Sequence, residues 1–317
     1  MPGRMAIPLP DDFPFRPDQP FTRVQAREAG VPDWRLHQLV KQHVLRRPVR
    51  NVYVAASAAD SLDLRCRVLG LVVPADGFVC DLTAAWLHSG EKALAPGDHE
   101  KVPPISFFRP SGGHRLRNDL TRSGERHVEP HELMEVNGLV VTTPLRTALD
   151  GGRLQRTADL RLWQMACMLA TGTFTHDRLC GEVARLKGRR GVVLQRELLP
   201  RVDAGLASFG EAALLNRWCD AGLPPPETQV EITRDDGSSY FLDLGLPDER
   251  FAAEYDGRAW HSSDAQRSHD RERREWIRHH RSWRIGEFTE ANTFGQHQNA
   301  ERLLREAWAE HRGVRYF

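Results

Sequence analysis

The stretch Tyr240-Phe-Leu-Asp-Leu-Gly-Leu-Pro-Asp-Glu-Arg-Phe-Ala-Ala-Glu-Tyr-Asp-Gly-Arg-Ala-Trp-His261 decides how this chain is read. It reads as two short strands joined by a tight turn at Pro247-Asp248-Glu249. Proline presets one backbone dihedral there, and aspartate bonds readily to its own backbone. Asp243 falls on the first strand, Glu254 and Asp256 on the second. Side chains alternate along a strand, so Glu254 and Asp256 share one face and Phe251, Ala253 and Tyr255 the other. A hairpin this short sets Asp243 beside Glu254 across the ladder. Two carboxylates so close repel, so one takes a proton or a cation sits between them. A hard divalent ion with oxygen ligands, Mg2+ or Mn2+, is the expected occupant. The alternative is a surface hairpin with solvated acids. The apolar flanks (Phe241, Leu242, Leu244, Leu246, Phe251, Ala252) argue instead for core strands, where Asp and Glu are depleted unless partnered. His261 follows closely and is a candidate proton acceptor.

Around this stretch the chain has room for two or three domains, with 317 residues in all. Its formal net charge is +1, so overall charge does not point to nucleic acid and only local clustering can. Cys66, Cys80, Cys167, Cys180 and Cys219 show no close-paired spacing. That argues against a disulfide framework or a zinc site and for a reducing compartment. No run reaches the roughly 18 apolar residues of a membrane span, and the N-terminus lacks a signal-peptide core. The expectation is a soluble cytoplasmic protein without a membrane partner.

Residues 1–20 are proline-rich and read as an extended arm. Residues 21–58 read as a compact unit. Thr22 caps a helix from Arg23 to Ala29, Gly30-Val31-Pro32 breaks it, and a second helix runs from Pro32 or Asp33 to about Gln42. Leu36, Leu39 and Val40 give that helix an apolar stripe at helical spacing. Val44 to Val54 reads as a small hairpin. Helix, tight turn, helix and basic hairpin is the order of a winged helix-turn-helix. Seven basic residues (Arg23, Arg27, Arg35, Lys41, Arg46, Arg47, Arg50) stand there against two acids, Glu28 and Asp33. Such an excess suits phosphate contacts, with the second helix in the major groove. Arg35, Lys41, Arg46, Arg47 and Arg50 are the candidate DNA contacts. A basic face serving solubility or a protein partner is the alternative.

Residues 59–200 read as a mixed middle region. Val102 to Phe108 and Val136 to Val141 look like strands, with a basic excursion between them. Residues 155–187 look mainly helical, and Gly188-Arg189-Arg190-Gly191 is an exposed basic turn. Thr143 suits a helix cap and Pro144 the first helical position. Asp81-Leu-Thr-Ala-Ala-Trp-Leu-His88 and Val140-Val-Thr-Thr-Pro-Leu-Arg-Thr-Ala-Leu-Asp150, with the N-terminal unit before them, resemble the AbiEi family of antitoxins. The resemblance implies DNA binding and a toxin or other protein as partner.

Residues 201–317 read as a helix from Ser208, a strand over Gln229–Thr233, and the two strands of Asp243 and Glu254. A long basic helix from Ser263 or Asp264 to His280 follows, then a strand over Trp283–Phe288 and a helix from about His297 to Glu310. The fold class is thus α+β with α/β elements, multidomain, and the last part has the αβββαβα order of a restriction-endonuclease-like core. This part resembles the Vsr-like branch of the PD-(D/E)XK nucleases. Glu254-Tyr-Asp-Gly-Arg-Ala-Trp-His261 is similar to a Glu-x-Asp-Gly-x-x-x-His pattern of that branch. Asp270-Arg-Glu-Arg273 is similar to its Asp-x-x-Arg helix motif, and Ser208-Phe-Gly-Glu211 to its upstream glutamate motif. The resemblance implies a metal held by Asp243, Glu254 and Glu211, His261 as general base, Asp270 near the site and Arg273 on DNA. The superfamily's lysine, two residues after the second acid, is Asp256 here, which suits a second metal or a proton.

Two functions stay open. One is a divalent-metal-dependent DNA endonuclease hydrolysing phosphodiester bonds in defence or repair, using Glu211, Asp243, Glu254, Asp256, His261 and Asp270. The other is an antitoxin-like DNA-binding transcriptional regulator whose nuclease fold is catalytically silent.

Overall fold

Thr22 closes a two-residue strand, β1 (Phe21–Thr22), and caps helix α1 (Arg23–Glu28). Its hydroxyl accepts from the Gln25 N–H, and the Gln25 side chain accepts from the Thr22 N–H. Two orphan donors of the helix start are thereby satisfied. Helix α2 (Asp33–Lys41) buries Leu36 and Leu39, and Asp33 at its start is gripped by Arg23 and Arg27. Strands β2 (Leu45–Arg46) and β3 (Val52–Ala55) return antiparallel, with β3 between β1 and β2. The computed structural model describes residues 7–97, 104–113, 121–257, 264–295 and 297–313. From residue 7 onward the proline-rich lead is no free arm. Phe13 and Phe15 pack on Phe21, the last two with ring centroids 4.1 Å apart, in one core with Leu36, Leu39 and Tyr53. Burying three aromatic rings is worth more than leaving the lead in solvent.

Helix α3 (Leu62–Gly70), strand β4 (Phe78–Val79) and helix α4 (Asp81–Ser89) come next. Strands β5 (Ile105–Arg109), β6 (Thr121–Glu125), β7 (Leu133–Val136) and β8 (Leu139–Thr142) complete a five-stranded sheet in the order β6-β5-β4-β8-β7. The single strand expected over Val136–Val141 is instead a hairpin. Asn137 and Gly138 take φ of 46° and 81° between β7 and β8, the two-residue turn that Asn-Gly favours. His88 is a packed histidine: its Nε2 lies 2.9 Å from the Thr142 carbonyl, and burial holds its pKa below the usual value.

The chain divides into two compact units, Met1–Gly151 with Thr171–Thr175, and Gly152–Ala170 with His176–Phe317. Helix α5 (Pro144–Leu154) runs across that division. The second unit holds helices α6 (Ala158–Leu169), α7 (His176–Arg185), α8 (Val192–Leu198) and α9 (Phe209–Asp220). Strands β9 (Glu227–Thr233), β10 (Ser239–Leu246) and β11 (Phe251–Tyr255) follow, then helix α10 (Asp264–Arg281) and strand β12 (Arg284–Phe288). Helices α11 (Glu290–Thr293) and α12 (Ala300–His311) close the chain. The sheet order is β12-β11-β10-β9, antiparallel except for β11 and β12. A parallel pair needs a long crossover, and α10 supplies it. Ile277 of α10 packs with Val230, Leu242, Ala252 and Ile285 of the sheet. Trp218 of α9 and Trp308 of α12 meet Phe251, at 5.6 and 5.1 Å between ring centroids. Asp256 lies one residue past β11 rather than on it, with its N–H still bonded to the Phe288 carbonyl at 2.6 Å.

Candidate functional site: a carboxylate cluster clamped by arginines

The register of β10 and β11 brings the acids together. Leu244 pairs with Ala253, and the next step along the ladder is Asp243 and Glu254. Asp243 Oδ2 accepts the Tyr255 N–H at 2.7 Å. Glu211 arrives from α9, whose start is set by Ser208: its hydroxyl accepts the Glu211 N–H at 3.2 Å. Gly210 lets that turn approach β11, because a Cβ there would stand 2.0 Å from the Tyr255 ring. Glu211 Oε2 accepts from the Ala207 N–H at 2.8 Å and from Gln229 Nε2 at 3.1 Å. Burial raises its pKa. Asp243 is pushed up to about 7, first by burial, then by Glu211 and Glu254. A carboxyl with two carboxylate neighbours in a desolvated place keeps its proton near neutrality.

Glu254 is buried and is met by two guanidinium groups of α10. Arg274 Nε donates to its Oε2 at 2.7 Å, and Arg273 Nη2 lies 2.8 Å from its Oε1. Arg274 also reaches Glu287 at 2.6 Å and Asp256 at 3.6 Å. Arg273 donates to the Phe241 carbonyl at 3.0 Å, so the guanidinium expected on DNA is engaged by Glu254 and by the backbone of β10. Asp270 stands half-buried one turn before this pair. His261 lies outside the described residues.

As these side chains stand, a divalent ion would have to compete with two guanidinium groups for Glu254, whose Oε1 accepts no hydrogen bond. The oxygens of Glu254 face two cations, and Asp243 and Glu211 each spend an oxygen on N–H donors. A third positive charge there would meet repulsion from both guanidinium groups. Among the described residues no group of three or more His, Cys, Asp or Glu side chains is placed to hold a metal.

Sequence reasoning missed Arg274. The signal was its place three residues before buried Ile277: a charged residue on the apolar face of an amphipathic helix needs a partner inside. It also missed Trp34, which stands 67% exposed on α2.

In the first unit Lys41, Arg47 and Arg50 are exposed. Arg35 is paired with Asp12 at 3.0 Å. Arg46 donates to the Ala58 carbonyl at 3.3 Å and lies 3.7 Å from Glu91. Of the six residues expected on DNA, five lie in this unit: Lys41, Arg47 and Arg50 are exposed, and Arg35 and Arg46 make the contacts just given.

Residues 77–201 match the family model of the AbiEi antitoxin C-terminal domain. The chain is 32% identical over 230 residues to the uncharacterized protein MT2308 of Mycobacterium tuberculosis (strain CDC 1551 / Oshkosh), spanning 70% of this chain and 79% of that protein. It belongs to the same family. The uncharacterized protein Rv2248 of Mycobacterium tuberculosis (strain ATCC 25618 / H37Rv) matches with the same identity and coverage. The matched antitoxin segment takes in the whole five-stranded sheet β4–β8, α4 and helices α5 to α8, and stops before α9. The carboxylate cluster therefore lies beyond it. No helix among the described residues is long and apolar enough to cross a membrane.

Proposed function

We propose that this protein is a DNA-binding transcriptional regulator of the antitoxin type. The match of residues 77–201 to an antitoxin domain carries this reading. The N-terminal unit supports it as a winged helix: α2 is the reading helix, and exposed Lys41, Arg47 and Arg50 take phosphates. A cognate toxin is the expected protein partner. The C-terminal unit is then a restriction-endonuclease-like fold in a catalytically silent form, its buried acids neutralised by Arg273, Arg274 and a retained proton on Asp243.

Anisotropy titration of the full chain on duplex DNA from its own promoter, at several salt concentrations, tests the reading. Salt-dependent binding is expected. Arg47→Ala with Arg50→Ala should lower the slope of log K against log salt by roughly two units, about 0.9 per phosphate contact. A chain that binds no duplex at any salt contradicts the proposal.

A second reading, a Mg2+- or Mn2+-dependent DNA endonuclease of the Vsr-like type, rests on one observation: Glu211, Asp243 and Glu254 converge on one place. It requires Arg273 and Arg274 to release Glu254. Cleavage of single- or double-stranded DNA in either metal, lost in Asp243→Asn, would favour it over the silent fold.

A further inference from the structure

A second basic surface sits far along the chain from the N-terminal helices, in the connection between α7 and α8. From Arg185 to Arg196 the chain carries Arg185, Lys187, Arg189, Arg190 and Arg196 and no acid. Lys187, Arg189 and Arg190 are exposed. Among the described residues no carboxylate pairs with any of these three; Arg185 has Glu182 at 2.9 Å, and Arg196 turns back to the Val183 and Ala184 carbonyls.

The turn is held in shape from beneath. Gly188 and Gly191 take φ of 69° and 80° and bracket the two arginines. A Cβ on Gly191 would stand 2.1 Å from the Arg153 carbonyl oxygen, so only glycine allows this close approach. Arg153 donates to the Arg190 carbonyl at 3.4 Å, and Arg161 to the Gly191 carbonyl at 3.1 Å. Two further cations therefore lie under a turn that already displays three. Burial and the charge of Arg190 both hold the Arg161 pKa below its usual value. Like charges gathered this closely cost free energy in the unbound chain, and a polyanion relieves that cost.

The chemistry of the surface selects among polyanions. Protein interfaces centre on aromatic and apolar anchors with charge at the rim. Here the exposed apolar side chain on α8 is Val193, and all else facing solvent on the turn is cationic. Guanidinium groups on a preorganised, glycine-bracketed turn match phosphate oxygens spaced along a backbone. We infer that the turn formed by Leu186 to Gly191 is a second duplex-DNA contact, one that grips the phosphate backbone and carries no base readout. The inference rests on the DNA-binding reading and extends it to the other unit of the chain.

The test uses the full chain with Lys187, Arg189 and Arg190 all changed to alanine. These side chains are exposed, so the melting temperature should stay at the wild-type value, which checks the fold. On a labelled duplex of mixed sequence the variant should lose roughly two to three units of salt slope and bind at least about tenfold more weakly at low salt. Restoring the positions as lysine should recover most of the slope, because phosphate contacts need charge more than shape. Preference for the promoter duplex over the mixed one should not change.

The Arg47→Ala, Arg50→Ala chain is measured alongside. If it loses slope while the turn variant keeps the wild-type slope, the turn is not a DNA contact and the regulator reading stands. If wild type shows no salt-dependent binding to any duplex, the regulator reading falls and the inference with it. If the turn variant loses affinity for poly-L-glutamate and keeps its DNA slope, the surface belongs to an acidic protein and the assignment is overturned.

Discussion

Asp243 shows how one residue can carry both a fold constraint and a titration. In the folded chain its pKa is pushed up to about 7, while an unfolded chain ionises aspartate near ~3.9. Between those values the folded state holds a proton that the unfolded state has released. Stability is therefore full below about pH 4 and falls as pH rises toward 7, by at most ~1.4 kcal/mol per pH unit. Above that range the loss is constant. Asp243→Asn removes the titrating group and keeps the acceptor for the Tyr255 N–H. The variant should match wild type at about pH 4 and exceed it increasingly up to about pH 8, as read from urea midpoints. A stability difference that does not change with pH would mean that Asp243 is ionised throughout.

At the level of elements, the site depends on how closely α9 approaches β11. The approach is set by Gly210, whose missing Cβ leaves room for the Tyr255 ring, and that ring stacks on Phe294 at 5.9 Å between centroids. Gly210→Ala improves helix propensity by up to ~1 kcal/mol but forces a methyl into an aromatic ring with little space to move. Overpacking of this kind costs ~1–3 kcal/mol, so net destabilisation is expected in chemical denaturation. A variant as stable as wild type would show that the ring yields freely. The crossover helix α10 works differently. It delivers Ile277 to the apolar core and, one turn earlier, Arg274 to Glu254, so one face of the helix carries both the packing and the neutralising charge.

For the whole molecule, the second unit begins well before the helix that Ser208 caps. Helix α6 packs on α9, where Asp159 accepts from Asn216 Nδ2 at 2.7 Å and from Arg217 Nη2 at 2.8 Å. Trp163 is buried in the same helix. A fragment starting at residue 201 would expose that face of α9 and strand Asn216 and Arg217. A fragment covering residues 152–317 should give a cooperative thermal transition and dispersed amide resonances, and one covering 201–317 should give neither. Cooperative folding of the shorter fragment would show that α6 adds nothing essential to the core.

Much of this was legible in residue order alone. Thr22 and Ser208 mark helix starts because their hydroxyls satisfy backbone donors locally. The pairing of Asp243 with Glu254 follows from a short turn and a period of two. Local chemistry of that kind needs no knowledge of distant residues. The Asn137-Gly138 turn was equally local, but the six residues from Val136 to Val141 that contain it read as one strand. What residue order could not decide was which charges meet. Arg273 and Arg274 are 19 and 20 positions beyond Glu254, and only the crossover of α10 brings them to it. The same holds for Asp159 with Arg217, and for Arg153 and Arg161 beneath the turn at Arg190. Hydrophobic burial chose those positions by docking whole elements, and each buried charge then took the partner that docking left within reach.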